Sequence, residues 1–235
     1  MPSRSSARRA RAERTPGAPE SGWTLIELIV SMTIFIGLLA IVFSILLSIS
    51  LQTKDNLART RANDEVRLGL MQIDRQVRSG NVISDPAAET IAASGVDPFY
   101  SLRVYTQTDG VYQCVQWRVL FPVGSAFGAL EYRSWEPNWA STGVVQPWRV
   151  VAHNVVKPAP GPFVAADPST WPPFHADLAG GGGATSVAQT IRVTLRVKDP
   201  EQRASSAPAT VTSVLTGRNT VFGYPAETCA STPPL

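Results

Sequence analysis

Chemically reactive side chains are scarce in this chain. Its 235 residues include two cysteines, Cys114 and Cys229, and two histidines, His153 and His175. So few cysteines exclude a disulfide-dense scaffold and a cysteine-rich zinc site. No His-x-x-x-His, Gly-x-Ser-x-Gly or paired-carboxylate pattern accompanies the histidines. No metal site, cofactor site or catalytic set is therefore expected, and the chain reads as a non-enzyme. A Cys114–His153 nucleophile pair would arise too easily by chance to carry weight. The run Gly180–Gly183 is not followed by Gly-Lys-Ser/Thr, so it is no phosphate loop. Charge is sparse too, at 17% of residues, against about a quarter in ordinary soluble domains. The formal +3 lies wholly in residues 1–22, where Arg4, Arg8, Arg9, Arg11 and Arg14 meet only Glu13 and Glu20. The rest is neutral by side-chain count and carries no specific nucleic-acid signal.

What is present is a long apolar run. The 24 residues from Leu28 to Leu51 contain no charge. At 1.5 Å per residue they span roughly 36 Å, enough to cross a hydrocarbon core of about 30 Å. A secretory signal peptide has a shorter apolar region and a small-residue cleavage site after it. Here the small residue, Gly22, precedes the run. Arginines lie before the run, and mixed charges from Lys54 to Glu65 follow it. The positive-inside rule then places the N-terminus in the cytoplasm and the C-terminal part outside.

The run opens with Gly22-Trp23-Thr24-Leu25-Ile26-Glu27. A carboxylate at the edge of an apolar helix is costly and calls for a partner, or else it snorkels to the headgroups. The stretch resembles the processing site of type IV prepilins: a glycine, an aromatic residue, then Thr-Leu-Ile-Glu and an apolar helix. The family usually has phenylalanine where Trp23 stands, and residues 1–22 form a longer leader than its shortest ones. The resemblance implies cleavage between Gly22 and Trp23 by a membrane-embedded prepilin peptidase, followed by N-methylation of Trp23. It also makes Glu27 the assembly residue, which would meet the new α-amine of a neighbouring subunit. Other pilins or pseudopilins and the inner-membrane assembly machinery are then the partners. The implied location is the cytoplasmic membrane as a single-pass precursor, then an extracytoplasmic filament. A signal-anchored membrane protein whose outer domain binds a partner without polymerising is the competing reading.

Beyond the membrane run, no proline occurs between Trp23 and Arg78. Val66, Leu70, Ile73 and Val77 recur at helical spacing, so residues 52–80 continue the helix with one apolar face. Gly80-Asn81 and Asp85-Pro86 mark its stop. A coiled coil is the alternative for that stripe.

Residues 81–235 predict an antiparallel sheet, with strands near 101–107, 111–121, 129–135, 148–156, 188–198 and 209–216. Asp109-Gly110 predicts a hairpin turn. Ile191, Val193, Leu195 and Val197 alternate inward, as do Val115, Trp117, Val119 and Phe121. The fold class is thus α+β, a long N-terminal helix packed on a sheet. The prolines and glycines of 157–186 predict a long surface loop. Within it, Trp171 and Phe174 form either a contact site or a local cluster that folds the loop down. The order of helix, Leu130–Arg133, Ile191–Val197 and Thr216–Asn219 is similar to J-type minor pseudopilins of type II secretion and to PilW-type minor pilins. That likeness implies a low-copy subunit that starts or caps a filament. Cys114 shares a face with Gln116 and Arg118, opposite the core residues. A bridge to Cys229 would tie the tail to the sheet, and two free thiols are the alternative.

Overall fold

The computed structural model describes residues 22–176, 190–220, 223–225 and 227–235. The leader up to Ser21 and the run Gly180–Gly183 lie outside them. The chain divides into two compact units, Met1–Ser50 and Leu51–Leu235.

In the first unit every described residue belongs to helix α1 (Leu25–Arg78) or to the three residues before it, and all are exposed. This stretch holds a segment long and apolar enough to cross a membrane, with none of it buried in the molecule. Its few hydroxyls are satisfied locally. Ser31 donates to the Glu27 carbonyl at 2.8 Å and Thr33 to the Val30 carbonyl at 2.8 Å. Such bonds let polar side chains sit on an apolar helix without needing water.

In the second unit the rest of α1 packs on an eight-stranded antiparallel sheet. The strands are β1 (Val82–Ile83), β2 (Ser101–Thr108), β3 (Val111–Leu120), β4 (Phe127–Trp135), β5 (Arg149–Val156), β6 (Phe174–Ala176), β7 (Thr190–Val197) and β8 (Ala209–Thr216). They run in the order β1-β2-β3-β4-β5-β7-β6, with β8 paired to β7. The six strands expected from alternation are all present. The two short ones, β1 and β6, were not expected, and β6 lies inside the stretch read as loop. Short helices α2 (Ile91–Ser94) and α3 (Trp139–Thr142) complete the fold.

The β2–β3 hairpin turns through Asp109 (φ 51°) and Gly110 (φ 81°). Two central residues with positive φ make a type I′ turn, whose twist matches the flanking strands. It sets Val104 opposite Val115 and Leu102 opposite Trp117, so one face is apolar. Onto that face α1 lays Val66, Leu70, Ile73 and Val77, all buried, with Ala58 and Ala62 extending the stripe. Gly69 brings helix and sheet close: a Cβ there would stand 2.9 Å from Leu130. The Trp117 indole N–H donates to Gln76 Oε1 at 2.6 Å inside this interface. Four aliphatic side chains at about 1.5–3 kcal/mol each contribute an amount comparable to the whole stability of a small domain.

The helix ends at Arg78, but Gly80 does not supply a left-handed cap. Its value is space, since a Cβ there would meet Val104 at 2.9 Å. The last turn is instead closed from the segment that follows β8. The Arg218 N–H donates to the Arg78 carbonyl at 3.3 Å and Asn219 Nδ2 to the Ser79 carbonyl at 3.5 Å. The Thr216–Asn219 segment thus serves as a helix stop.

Candidate functional site

The Gly22–Glu27 segment sits at the entry to α1. Gly22, Trp23 and Thr24 are non-helical, and helix begins at Leu25. Thr24 Oγ1 accepts the Glu27 N–H at 3.3 Å, while the Thr24 carbonyl accepts the Leu28 N–H at 3.2 Å. Thr24 is therefore the N-cap, and Thr-x-x-Glu is half of a capping box. A carboxylate in the first turn also complements the helix dipole. Sequence reasoning missed this second role, although Ser/Thr-x-x-Glu ahead of an apolar run is its signature. The Gly22–Trp23 bond lies in open backbone. Nothing stands within 4 Å of a Cβ built on Gly22, and Trp23 is 73% exposed. The Glu27 carboxylate has no partner among the described residues.

The second cluster lies on the sheet face turned away from α1. Register pairs Arg103 with Gln116 and Gln116 with Arg133; Cys114 pairs with Trp135 and Arg118 with Glu131. Cys114 and Cys229 are joined as a disulfide with Cα atoms 5.7 Å apart. The bridge anchors residues 229–235 over this face. Arg133 donates to the Pro233 and Pro234 carbonyls at 3.3 and 3.0 Å, and Arg103 donates to the Ala230 carbonyl at 3.1 Å. Arg133 also forks onto Gln116 Oε1 at 3.0 and 2.8 Å. Glu89 pairs with Arg103 at 2.7 Å, and Glu131 with Arg118 at 2.7 Å. The Trp148 ring lies 3.8 Å from the Arg118 guanidinium and 4.5 Å from that of Arg133. Burial raises the Glu89 carboxyl above its ordinary value, with Arg103 opposing the shift. Burial, then the neighbouring Arg118 and Arg103, lowers Arg133 to about 10. The face is a closed polar layer sealed by the bridged tail, and its arginines are engaged with protein groups.

The histidines lie apart. The backbone N–H of His153 donates to Glu65 Oε2 at 3.1 Å, and Cys114 is committed to the disulfide. His175 stacks on Phe163 with centroids 5.0 Å apart. Trp171 stacks on Phe163, donates to the Val164 carbonyl at 2.8 Å and lies under Arg192. Phe174 is fully buried in β6. Trp171 thus belongs to a local cluster with Phe163 that folds the proline-rich segment down, whereas Phe174 joins the main core under the sheet. Among the described residues no three His, Cys, Asp or Glu side chains gather in a way that could hold a metal ion.

No protein-family model matches the chain, and neither a curated protein nor a solved structure matches it significantly.

Proposed function

We propose that this chain is a structural subunit of a type IV pilus or type II secretion pseudopilus, a minor pilin or pseudopilin. The carrying observation is the Gly22–Glu27 motif directly ahead of an apolar half-helix, up to Leu51, that buries none of its side chains within its own molecule. On this reading the precursor rests in the cytoplasmic membrane with its arginine-rich leader inside. Prepilin peptidase cuts between Gly22 and Trp23, at backbone that precedes the helix and is open to approach, and methylates the amine of Trp23. The matured helix then passes from lipid into a filament of other pilins, driven by the inner-membrane assembly machinery. Glu27 supplies the register. Its carboxylate pairs with the Trp23 amine of a neighbour, and each charge offsets the desolvation of the other. A DNA-uptake pilus is one form such a filament can take, but the neutral outer domain offers nothing specific to DNA.

The test is the mass of the mature N-terminus in cells that express a prepilin peptidase. The expected result is a chain beginning at N-methylated Trp23, with Gly22→Val leaving an uncleaved precursor in the membrane. An intact N-terminus in the wild type would sink the proposal. It would favour the second reading, a signal-anchored protein that does not polymerise. The Thr24 cap gives that reading its own support, because any anchor helix gains from such a cap.

A further inference from the structure

The proline-rich segment folded against β6 leaves a cleft of about 650 Å³. That volume suits a single small organic ligand. One wall is a ladder of rings: Phe99 on His175 at 5.9 Å and His175 on Phe163 at 5.0 Å. The facing wall includes Pro158, Pro160 and Pro172, whose fixed φ makes it stiff and preformed. Phe163 remains 40% exposed, so its ring has surface left to cover.

The wall is held at a backbone cost. Phe99 has φ 68°, a left-handed conformation that aromatic residues rarely take. Two hydrogen bonds enforce it: its N–H donates to the Pro86 carbonyl at 2.9 Å, and its carbonyl accepts from the Phe174 N–H at 3.0 Å. Such strain gathers at binding and catalytic sites. The other three described non-glycine residues with positive φ are Asp109 in the hairpin turn, Asn154, a residue type that tolerates this conformation, and Cys229 in the disulfide.

Lys157 and Tyr100 add polar groups to the lining of this largely apolar space. Lys157 lines the cleft, and its ammonium has no ion pair among the described residues. Tyr100 lines it too, and its hydroxyl has no hydrogen-bond partner among them. Burial, then Asp97, raises the Tyr100 pKa, so the phenol stays protonated and able to donate. Both side chains also border a smaller cleft of about 180 Å³ that contains Asp97. Among the described residues, none that lines the larger cleft is a carboxylate. Among the described residues that line the larger cleft, one cation and one donor without a carboxylate beside them favour a negative group on the ligand.

We propose that this cleft binds a small apolar carboxylate, an aromatic or branched-chain acid. Its body would lie against Phe99, His175 and Phe163, and its carboxylate would meet Lys157 and the Tyr100 hydroxyl. This inference is independent of filament assembly.

The test is calorimetric titration of the full-length chain in nanodiscs with 4-phenylbutyrate and with its uncharged amide, using empty nanodiscs as the blank. Saturable binding of the acid, tighter than that of the amide, is expected. Lys157→Gln should weaken the acid roughly fivefold and leave the amide unchanged. Phe163→Ala should weaken both ligands while the far-ultraviolet spectrum and thermal transition stay as in the wild type. The proposal fails if neither ligand binds saturably, or if Lys157→Gln weakens acid and amide alike. It also fails if a peptide ending in phenylalanine binds while the free acid does not.

Discussion

Removing the Cys114–Cys229 bridge tests how the second face of the sheet is closed. The bridged cysteines are separated by 115 residues. Loop-closure entropy for that length predicts a loss of about 5 kcal/mol when the cross-link goes, and engineered cases often give less. The tail has other attachments: the carbonyls of Ala230, Pro233 and Pro234 accept from Arg103 and Arg133. Hydrogen bonds to charged groups contribute about 1.5–3 kcal/mol each, so the unbridged tail should stay docked in cold buffer and leave before the sheet melts. The perturbation of choice is Cys114→Ala with Cys229→Ala, because alanine adds no hydroxyl to a site where Cys114 is fully buried. A melting temperature lower by about 10–20 °C follows for a domain of this size. The assay is thermal unfolding of the full chain in detergent, followed by circular dichroism, beside the oxidised wild type. Hydrogen exchange should show early opening at residues 229–235. A shift below about 3 °C, or ready alkylation of both wild-type cysteines without denaturant, would refute the reasoning.

Three further perturbations probe the second unit. Gly69→Leu should destabilise it by about 1–3 kcal/mol in urea unfolding, because even a Cβ would stand 2.9 Å from Leu130. Arg133→Met removes a fully engaged buried cation and leaves Gln116 Oε1 and the Pro233 and Pro234 carbonyls without their donor; a loss of about 3 kcal/mol is expected, and a neutral result would mean that the network adds little. Asp55 accepts the Arg203 N–H at 2.8 Å and the Ser206 hydroxyl at 3.0 Å, and the Arg203 bond is the main cause of its lowered pKa. A depressed folded pKa means that this contribution is complete above the ordinary aspartate value of about 4 and is lost as pH falls through the lower folded value. Protection of the Arg203 amide, measured against its intrinsic exchange rate at each pH, should therefore be high at pH 7, fall once acid protonates Asp55, and be low at every pH in Asp55→Ala.

Alternation made most of the sheet legible. Ile191, Val193, Leu195 and Val197 read inward in the sequence and are fully buried. The limits have physical causes. Strands β1 and β6 are two and three residues long, too short for a period to register. Ala58 and Ala62 are buried on α1 without looking apolar enough to extend the stripe. The face bearing Cys114, Gln116 and Arg118 was recognisable as opposite the core, but its burial was not. Alternation separates two faces of a strand and does not say whether the polar one meets water or a second layer. That layer comes from residues near Glu89 and from the tail, which are distant in sequence. The motif at Gly22–Glu27 was legible as a resemblance, whereas its capping geometry emerged only from the backbone.

The apolar half of α1 poses the sharpest energetic question. From Trp23 to Leu51, large apolar side chains are between 38% and 77% exposed. At about 1 kcal/mol or more each, covering twenty of them is worth tens of kcal/mol, beyond the 5–15 kcal/mol that holds a typical domain together. Both readings of the chain cover them, with lipid or with other helices. The readings part at Glu27, the one ionisable side chain between Gly22 and Thr53. If Glu27 serves only as a first-turn residue beside the Thr24 cap, glutamine replaces it well, because the capping bond uses the backbone N–H of residue 27 and not its side chain. If its charge meets an amine on a neighbouring helix, glutamine fails as valine does, because the pairing needs an anion. Glu27→Gln and Glu27→Val should therefore be compared for cleavage and for co-assembly with other pilin-type subunits. Assembly predicts normal cleavage and equally poor incorporation for both variants. Incorporation of Glu27→Gln at the wild-type level would assign Glu27 to the first turn alone and remove charge pairing from the mechanism.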